Sequence, residues 1–489
     1  MGLREQTVKA LLWTFSERIG MQMVRFVVSV VLARLLSPAD FGLLGMLTIF
    51  MILGQQLVAA GFGRALVQKK DADDEDATAV FYFGVFIALA LIALLFFSAP
   101  LIATFYEEPK LLWLTRVMSL NFLFGSLMIV HNTLLIKRIQ FRKKVLSNFL
   151  SFPISAAVGI GMALKDFGPW SLVGMQLSAS FSRMVFIWIL FPWRPKLSFS
   201  FRSLKEMFPY GSRILAASLV SIFFDNIYLV LIGKMYNKTE LGYYTRAHRM
   251  HELFAVVLTQ TVGQVMFPAF SAVQDEQERF LRGARKATSF CLFVIAPILM
   301  GLLMTSDSFV GVVFGRKWLP SVPFLRVLCV AGLFYPLNYI NNNILQAKGR
   351  SDLFFRQEVI KRILQVVNIF VTFRYGVIAL LIGHTVCCVI GWLLSVYYMR
   401  SVFIYNFTMQ LRDAAPYLAL SAAMMAGVGL VRLIAEGQVQ IGVFAIQVAV
   451  GAAIYAAGSV LFKPAAHREC CDLAASAVRK WRAGSQRRG

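Results

Sequence analysis

The sequence predicts an all-α integral membrane protein with about fourteen transmembrane helices: two six-helix pseudo-repeat lobes, then two C-terminal helices. Three observations predict it. Of the 489 residues, 58% are apolar and only 15% are charged, against roughly 45–50% and about 25% in soluble chains. The apolar residues fall in runs of about 20, the length that crosses a bilayer as a helix. A loop-and-helix block also recurs at an interval of 200 residues. The net charge of +24 would suit a nucleic-acid binder only if its cations shared a soluble face. Here they punctuate apolar runs, so membrane lipids are expected as neighbours and no nucleic acid as partner.

The elements follow in order. The first run, near 8–35, holds Glu17, Arg18 and Arg25 and is followed by no small-residue cleavage site. It is therefore expected to remain as the first span and not to be removed as a signal. Runs near 41–63, 77–103, 112–135, 146–165 and 169–190 complete an N-lobe over 1–206. Six more, near 211–234, 241–266, 286–306, 322–346, 355–373 and 376–399, fill a C-lobe over 207–400. Two final spans lie in 401–462, and 463–489 is a basic cytoplasmic tail. The breaks carry turn chemistry, as in Ser37-Pro38-Ala39-Asp40, Glu108-Pro109 and Gly168-Pro169. No segment between spans is long enough for a separate soluble active-site domain.

Lys and Arg set the orientation, because cytoplasmic loops carry the excess. With the N-terminus inside, 30 of the 49 Lys and Arg residues fall on the cytoplasmic side and 8 outside. Both termini are thus expected in the cytoplasm, which agrees with an even span count.

Leu36-Ser37-Pro38-Ala39-Asp40-Phe41-Gly42 aligns with Tyr236-Asn237-Lys238-Thr239-Glu240-Leu241-Gly242. Each block closes one span and opens the next. An even number of spans per copy makes the copies parallel repeats, an arrangement that places substrate between transporter halves. The block Leu35-Leu36-Ser37-Pro38-Ala39-Asp40-Phe41-Gly42-Leu43-Leu44 resembles the first-loop signature of oligosaccharide flippases. So does Asp225-Asn226-Ile227-Tyr228-Leu229-Val230-Leu231-Ile232-Gly233 with Glu240-Leu241-Gly242-Tyr243-Tyr244. These are the polysaccharide transporters of the multidrug/oligosaccharidyl-lipid/polysaccharide exporter superfamily; the likeness is to the colanic-acid and teichuronic-acid exporter type. The resemblance implies a flippase moving polyprenyl-pyrophosphate-linked oligosaccharides across the bacterial inner membrane by alternating access. It also implies a central cavity lined by helices one, two, seven and eight. A monomer is expected, working beside a polymerase and other polysaccharide-assembly proteins.

Ionisable residues inside the bilayer are functional candidates by default. Arg18 and Arg25 share a helix face and lie about 13 and 24 Å from Lys9 along the helix. The eighth span carries Arg246, His248, Arg249, His251 and Glu252. Each midplane arginine costs about 2.5–3.5 kcal/mol on insertion scales, so these must face water or partners. Guanidinium forks bind phosphate oxygens bidentately and stay charged. Arg18, Arg25, Arg246 and Arg249 are accordingly expected to hold a pyrophosphate headgroup. Glu17, Asp225, His248 and Glu252 are candidates for gating or ion coupling; Asp225 stands at the repeat position of Arg25. Gln55, Gln56, Gln260 and Gln264 are candidate sugar contacts, and helix-packing hydrogen bonds are the bland alternative.

No metal and no cofactor is expected. The six cysteines lack zinc or redox spacing, His248 and His251 lack a third ligand, and no P-loop or Gly-x-Ser-x-Gly occurs. No enzymatic activity is expected. Two other readings are a multidrug cation antiporter of the same superfamily, which the cationic first span disfavours, and a polytopic polysaccharide polymerase or ligase, which usually carries a larger external loop.

Overall fold

The computed structural model describes residues 20–59, 61–69, 71–138, 140–197, 199–263, 270, 276–434, 440–462 and 464. Helices and turns account for all regular structure among them; there is no strand. Eleven helical stretches among the described residues are long and apolar enough to cross a membrane. The other three expected spans are the first, the eighth and the eleventh, which are the ones interrupted by charge or lying partly outside the described residues. Glu17, Arg18, Gln264 and nearly all of the basic tail lie outside them. The chain forms two compact units, Met1–Thr245 and Arg246–Gly489.

In the first unit, α1 occupies 20–35. A tight turn then opens α2, Pro38–Ala59. Ser37 donates its hydroxyl to Asp40 Oδ2 at 2.6 Å and its N–H to the same oxygen at 2.9 Å. This reciprocal cap, with proline at the first helical position, fixes the helix start. The short α3, Phe62–Gln68, follows a left-handed Gly61. Next come α4, Asp74–Tyr106, with a capping box between Asp73 and Asp76; α5, Lys110–Met118; and α6, Leu120–Lys137. Then come α7, Phe141–Leu164; α8, Pro169–Leu190; α9, Phe201–Met235; and α10, Lys238–His251, which crosses the unit boundary.

The repeat seen in the sequence is physically self-matched. Asn237 accepts the Glu240 N–H at 2.8 Å, as Ser37 accepts from Asp40 in the first copy. Where α2 and α10 cross, a methyl group on Gly42 would lie 2.6 Å from the carbonyl carbon of Lys238 and overlap its oxygen. A methyl group on Gly242 would lie 2.6 Å from the carbonyl carbon of Pro38. Each copy's glycine thus admits the other copy's backbone. Beside this crossing, Lys234 meets Glu107 at 2.9 Å and Lys238 meets Glu108 at 2.7 Å.

The second unit is built on α11, Gln277–Val313, which packs against α12 (Val322–Ala347), α15 (Phe407–Ile434) and α16 (Gln440–Phe462). The remaining helices are α13, Ser351–Thr372, and α14, Val377–Met399. A buried polar cluster joins three of its helices. Asn341 donates to Ser395 at 2.8 Å and accepts from Gln410 at 3.0 Å, whose own carbonyl accepts from Trp392 at 2.9 Å. Asn341 is therefore a packing residue, as buried amides that find partners usually are. Arg285 grips the buried Asp413, with contacts from 2.6 to 3.1 Å, and Tyr405 donates to the same carboxylate at 3.0 Å.

Candidate functional site

Arg25 is placed by the packing of α1. Val28, Leu32 and Leu36 are buried against Ala163 of α7 and Leu172 of α8, with Phe152, Ile160 and Met175 around them. These contacts lie on the C-terminal side of Arg25 along α1, so Arg25 projects past the apolar seam and is exposed. Because α8 runs antiparallel to α1, the same seam brings Arg183 of α8 within electrostatic reach of Arg25. The Arg183 side chain is partly buried, and its Nε is cut off from solvent without a hydrogen-bond partner. The sequence reading passed over Arg183, which sits alone in its span. The available signal was the general one that applies to any arginine deep in an apolar run.

Asp225 of α9 is exposed. On α2, Gln55 is exposed and Gln56 partly buried.

In the second unit, α10 delivers the predicted cluster, but its members differ in environment. Arg246 is only 4% exposed. Its guanidinium carbon lies 4.8 Å from the ring centroids of both Phe314 and Trp318. Such a desolvated cation–π contact is worth about 2 kcal/mol, so Arg246 is clamped into the protein interior. Arg249 is exposed and pairs with Glu252, Nη1 to Oε2, at 3.0 Å. The two arginines are three residues apart, offset by roughly 60° around the helix. That offset, with long side chains, suffices to bury one and expose the other.

His248 and His251 stack at 6.1 Å between centroids. His251 Nδ1 donates to the Leu328 carbonyl at 3.0 Å. His384 of α14 lies near both and 3.6 Å from the Cys388 sulfur. Among the described residues, no group of His, Cys, Asp or Glu is arranged to hold a metal ion. Immediately after His251 the helix widens into a π-helical turn, Glu252–Val257, before continuing to Gly263. Single π turns inside α-helices are frequent at functional sites. Beyond this one, Gln260 is exposed and donates to the Tyr335 hydroxyl at 3.3 Å.

What the arrangement offers chemically is cationic hydrogen-bond donors, Arg25 on α1 and Arg249 on α10, each exposed on its own helix. A profile of the family described as "Polysaccharide biosynthesis protein" matches residues 31–323. The chain belongs to that family. Among relatives, it is 28% identical over 359 residues to the teichuronic acid biosynthesis protein TuaB of Bacillus subtilis (strain 168), covering 72% of this chain and 74% of that one. It is 26% identical over 409 residues to the lipopolysaccharide biosynthesis protein WzxC of Escherichia coli (strain K12), covering 82% of each. Among solved structures, the lipid II flippase MurJ in an inward closed conformation superposes with a TM-score of 0.73 at 17% identity. That likeness covers 92% of this chain and 97% of the other. An inward-facing multidrug resistance MATE transporter superposes at 0.62 over 77% of this chain and 94% of its own, at 16% identity. These structural likenesses establish the family's all-helical transporter fold.

Proposed function

We propose that this protein is a flippase that moves polyprenyl-pyrophosphate-linked oligosaccharides across the bacterial inner membrane for polysaccharide biosynthesis. The observation that carries the reading is the pair of arginines, Arg25 on α1 in the first unit and Arg249 on α10 in the second, both exposed in a chain built of apolar helices. A solvated cation inside an apolar helical protein suits an anionic headgroup that must cross the bilayer, and a guanidinium suits phosphate oxygens. Membership of the polysaccharide biosynthesis family supports the same substrate class. Arg18 is assigned the same role by its place on the first span. Arg246, clamped between Phe314 and Trp318, acts on the headgroup through the position it gives α10. Gln55, Gln56, Gln260 and Gln264 are assigned to sugar hydroxyls. Glu17, Asp225, His248 and Glu252 are the groups assigned to gating or ion coupling, with the Arg249–Glu252 pair exchanging for an Arg249–phosphate pair when substrate binds.

The excess of Lys and Arg on one side supports cytoplasmic termini. The protein then works as a monomer upstream of a polymerase that consumes the flipped units. Deleting the gene from its host is expected to abolish polymer export and to leave lipid-linked repeat units on the cytoplasmic leaflet. The wild-type gene restores export, and a variant carrying both Arg25→Gln and Arg249→Gln does not. Full export by that variant, expressed at the wild-type level, would show that the headgroup is bound elsewhere.

A further inference from the structure

We propose that Arg183 on α8 completes, with Arg25 on α1, a two-guanidinium anion site within the first unit, and that this site takes the pyrophosphate of the lipid-linked substrate. The inference rests on the functional reading above and adds to it a binding residue on a helix that reading did not involve.

The argument begins with an electrostatic imbalance. Arg183 Nε is buried and makes no hydrogen bond. The charge that acts on it is another cation, Arg25. Among the described residues neither guanidinium forms an ion pair. The neighbouring hydroxyls on α8 donate to carbonyls of their own helix, and neither accepts from Arg183 Nε. Ser178 donates to the Gly174 carbonyl at 2.7 Å and Ser182 to the Ser178 carbonyl at 2.5 Å. A partly buried cation with no counter-ion among the described residues carries a desolvation cost, and a second cation beside it adds repulsion. Among the described residues nothing supplies negative charge to the two groups, and a bound anion would balance both.

The ligand chemistry follows from the donors. Two guanidiniums present two planar forks, each matching a pair of oxygens on one phosphoryl group. A diphosphate supplies two such groups and at least two negative charges. A single sugar carboxylate supplies one. The seam formed by Leu32 of α1 and Leu172 of α8 continues the site into an apolar wall that suits the prenyl chain of a lipid.

The test uses the full-length protein in phosphatidylcholine nanodiscs, with polyprenyl pyrophosphate, polyprenyl monophosphate and inorganic pyrophosphate as probes. Wild-type protein is expected to bind polyprenyl pyrophosphate and to prefer it to the monophosphate. Arg183→Gln weakens that binding about tenfold or more, the loss expected for one charge-assisted bidentate contact, while Arg183→Lys retains part of it. Arg183→Gln with Arg25→Gln together lose less than the sum of the two single losses. In the ligand-free protein, Arg183→Met raises the melting temperature, because it removes an uncompensated charge, and it abolishes the rise that polyprenyl pyrophosphate gives the wild type. A residue that merely packs would lower the melting temperature on truncation.

The proposal is overturned if folded Arg183→Gln binds polyprenyl pyrophosphate like the wild type, or if Arg183→Met melts lower without ligand. It is equally overturned if the monophosphate binds as tightly. If inorganic pyrophosphate binds in an Arg183-dependent way and polyprenyl pyrophosphate does not displace it, the site belongs to a soluble anion and the lipid assignment falls. If the wild type binds no polyprenyl pyrophosphate at all, the failure lies in the functional reading itself.

Discussion

Replacing Gly42 with alanine introduces a methyl group where α2 crosses the start of α10. Its carbon would sit 2.6 Å from the Lys238 carbonyl carbon, whereas carbon atoms rest about 3.5–4.0 Å apart. The two helices must therefore separate by roughly 1 Å or more at that point. The obstacle is backbone, which has no rotamer to escape into. Overpacking of this kind costs about 1–3 kcal/mol, and the upper end is expected here. Gly242→Ala meets the Pro38 carbonyl carbon at the same 2.6 Å and is expected to cost as much. The diagnostic result is the double variant. Once one methyl group has opened the crossing, the second fits the space already made, so Gly42→Ala with Gly242→Ala loses about 1 kcal/mol less than the sum. Thermal unfolding of detergent-solubilised protein, read by intrinsic fluorescence, measures all three. Gly161→Ala on α7 is the control, because a methyl group there meets nothing within 4 Å; it is expected to leave stability unchanged or slightly raised. Additive losses, or a Gly42→Ala protein that melts with the wild type, would refute the reciprocal crossing.

Three other outcomes are expected. Arg285→Met leaves the buried Asp413 carboxylate without its counter-ion and should cost about 2–4 kcal/mol, whereas Asp413→Asn leaves a guanidinium that is 45% exposed and costs less; paired denaturation curves check the order. Lys234, hydrogen-bonded to Glu107, holds that carboxyl below its usual range. The pair's contribution is therefore complete above the ordinary carboxyl value of about 4.3 and is lost as pH falls from there through the lowered value. The melting-temperature difference between wild type and Glu107→Gln should be flat from about pH 5 to 8, shrink below about pH 4, and weaken in high salt. Arg246→Lys keeps the charge but loses the guanidinium's contact with the Phe314 and Trp318 rings, and should destabilise the protein by about 1–2 kcal/mol. The same variant monitored by polymer export separates clamp from ligand: export in proportion to folded protein marks a clamp.

The transmembrane plan was legible because the bilayer imposes a single dominant rule, and long helices such as α4 and α11 satisfy it without help from context. The repeat was legible for a similar reason: Ser37–Asp40 and Asn237–Glu240 perform the same local capping task, and caps are written in short stretches of chain. That Gly42 and Gly242 would meet each other's backbone was not legible, because spacing reveals which residues recur and not what they touch. The candidate site divides along the same line. The arginines of α10 stand out by composition. The burial of Arg246 depends on Phe314 and Trp318, some 70 residues away, so nothing local to α10 separates it from Arg249. Arg183 has no companion in its own span and gains meaning only from Arg25 on an antiparallel neighbour. The cluster on the eighth span also hid how polar that helix is. The charges that marked it as a candidate also make it more polar than the helices that are apolar enough to cross a membrane.

The π-helical turn at Glu252–Val257 changes how α10 should be numbered. An α-helix advances about 100° per residue, and a π turn accommodates one residue more than an α turn would. Arg249 and Gln260 are eleven positions apart and would nearly superpose on a regular helical wheel. With one residue absorbed by the widened turn, they diverge by roughly a quarter of a circle. A cysteine-accessibility scan along α10 should therefore show a 3.6-residue rhythm up to His251 and the same rhythm after Val257, with a jump of one position between. Comparisons that slide another helix along α10 without inserting that step will pair the wrong side chains throughout its second half.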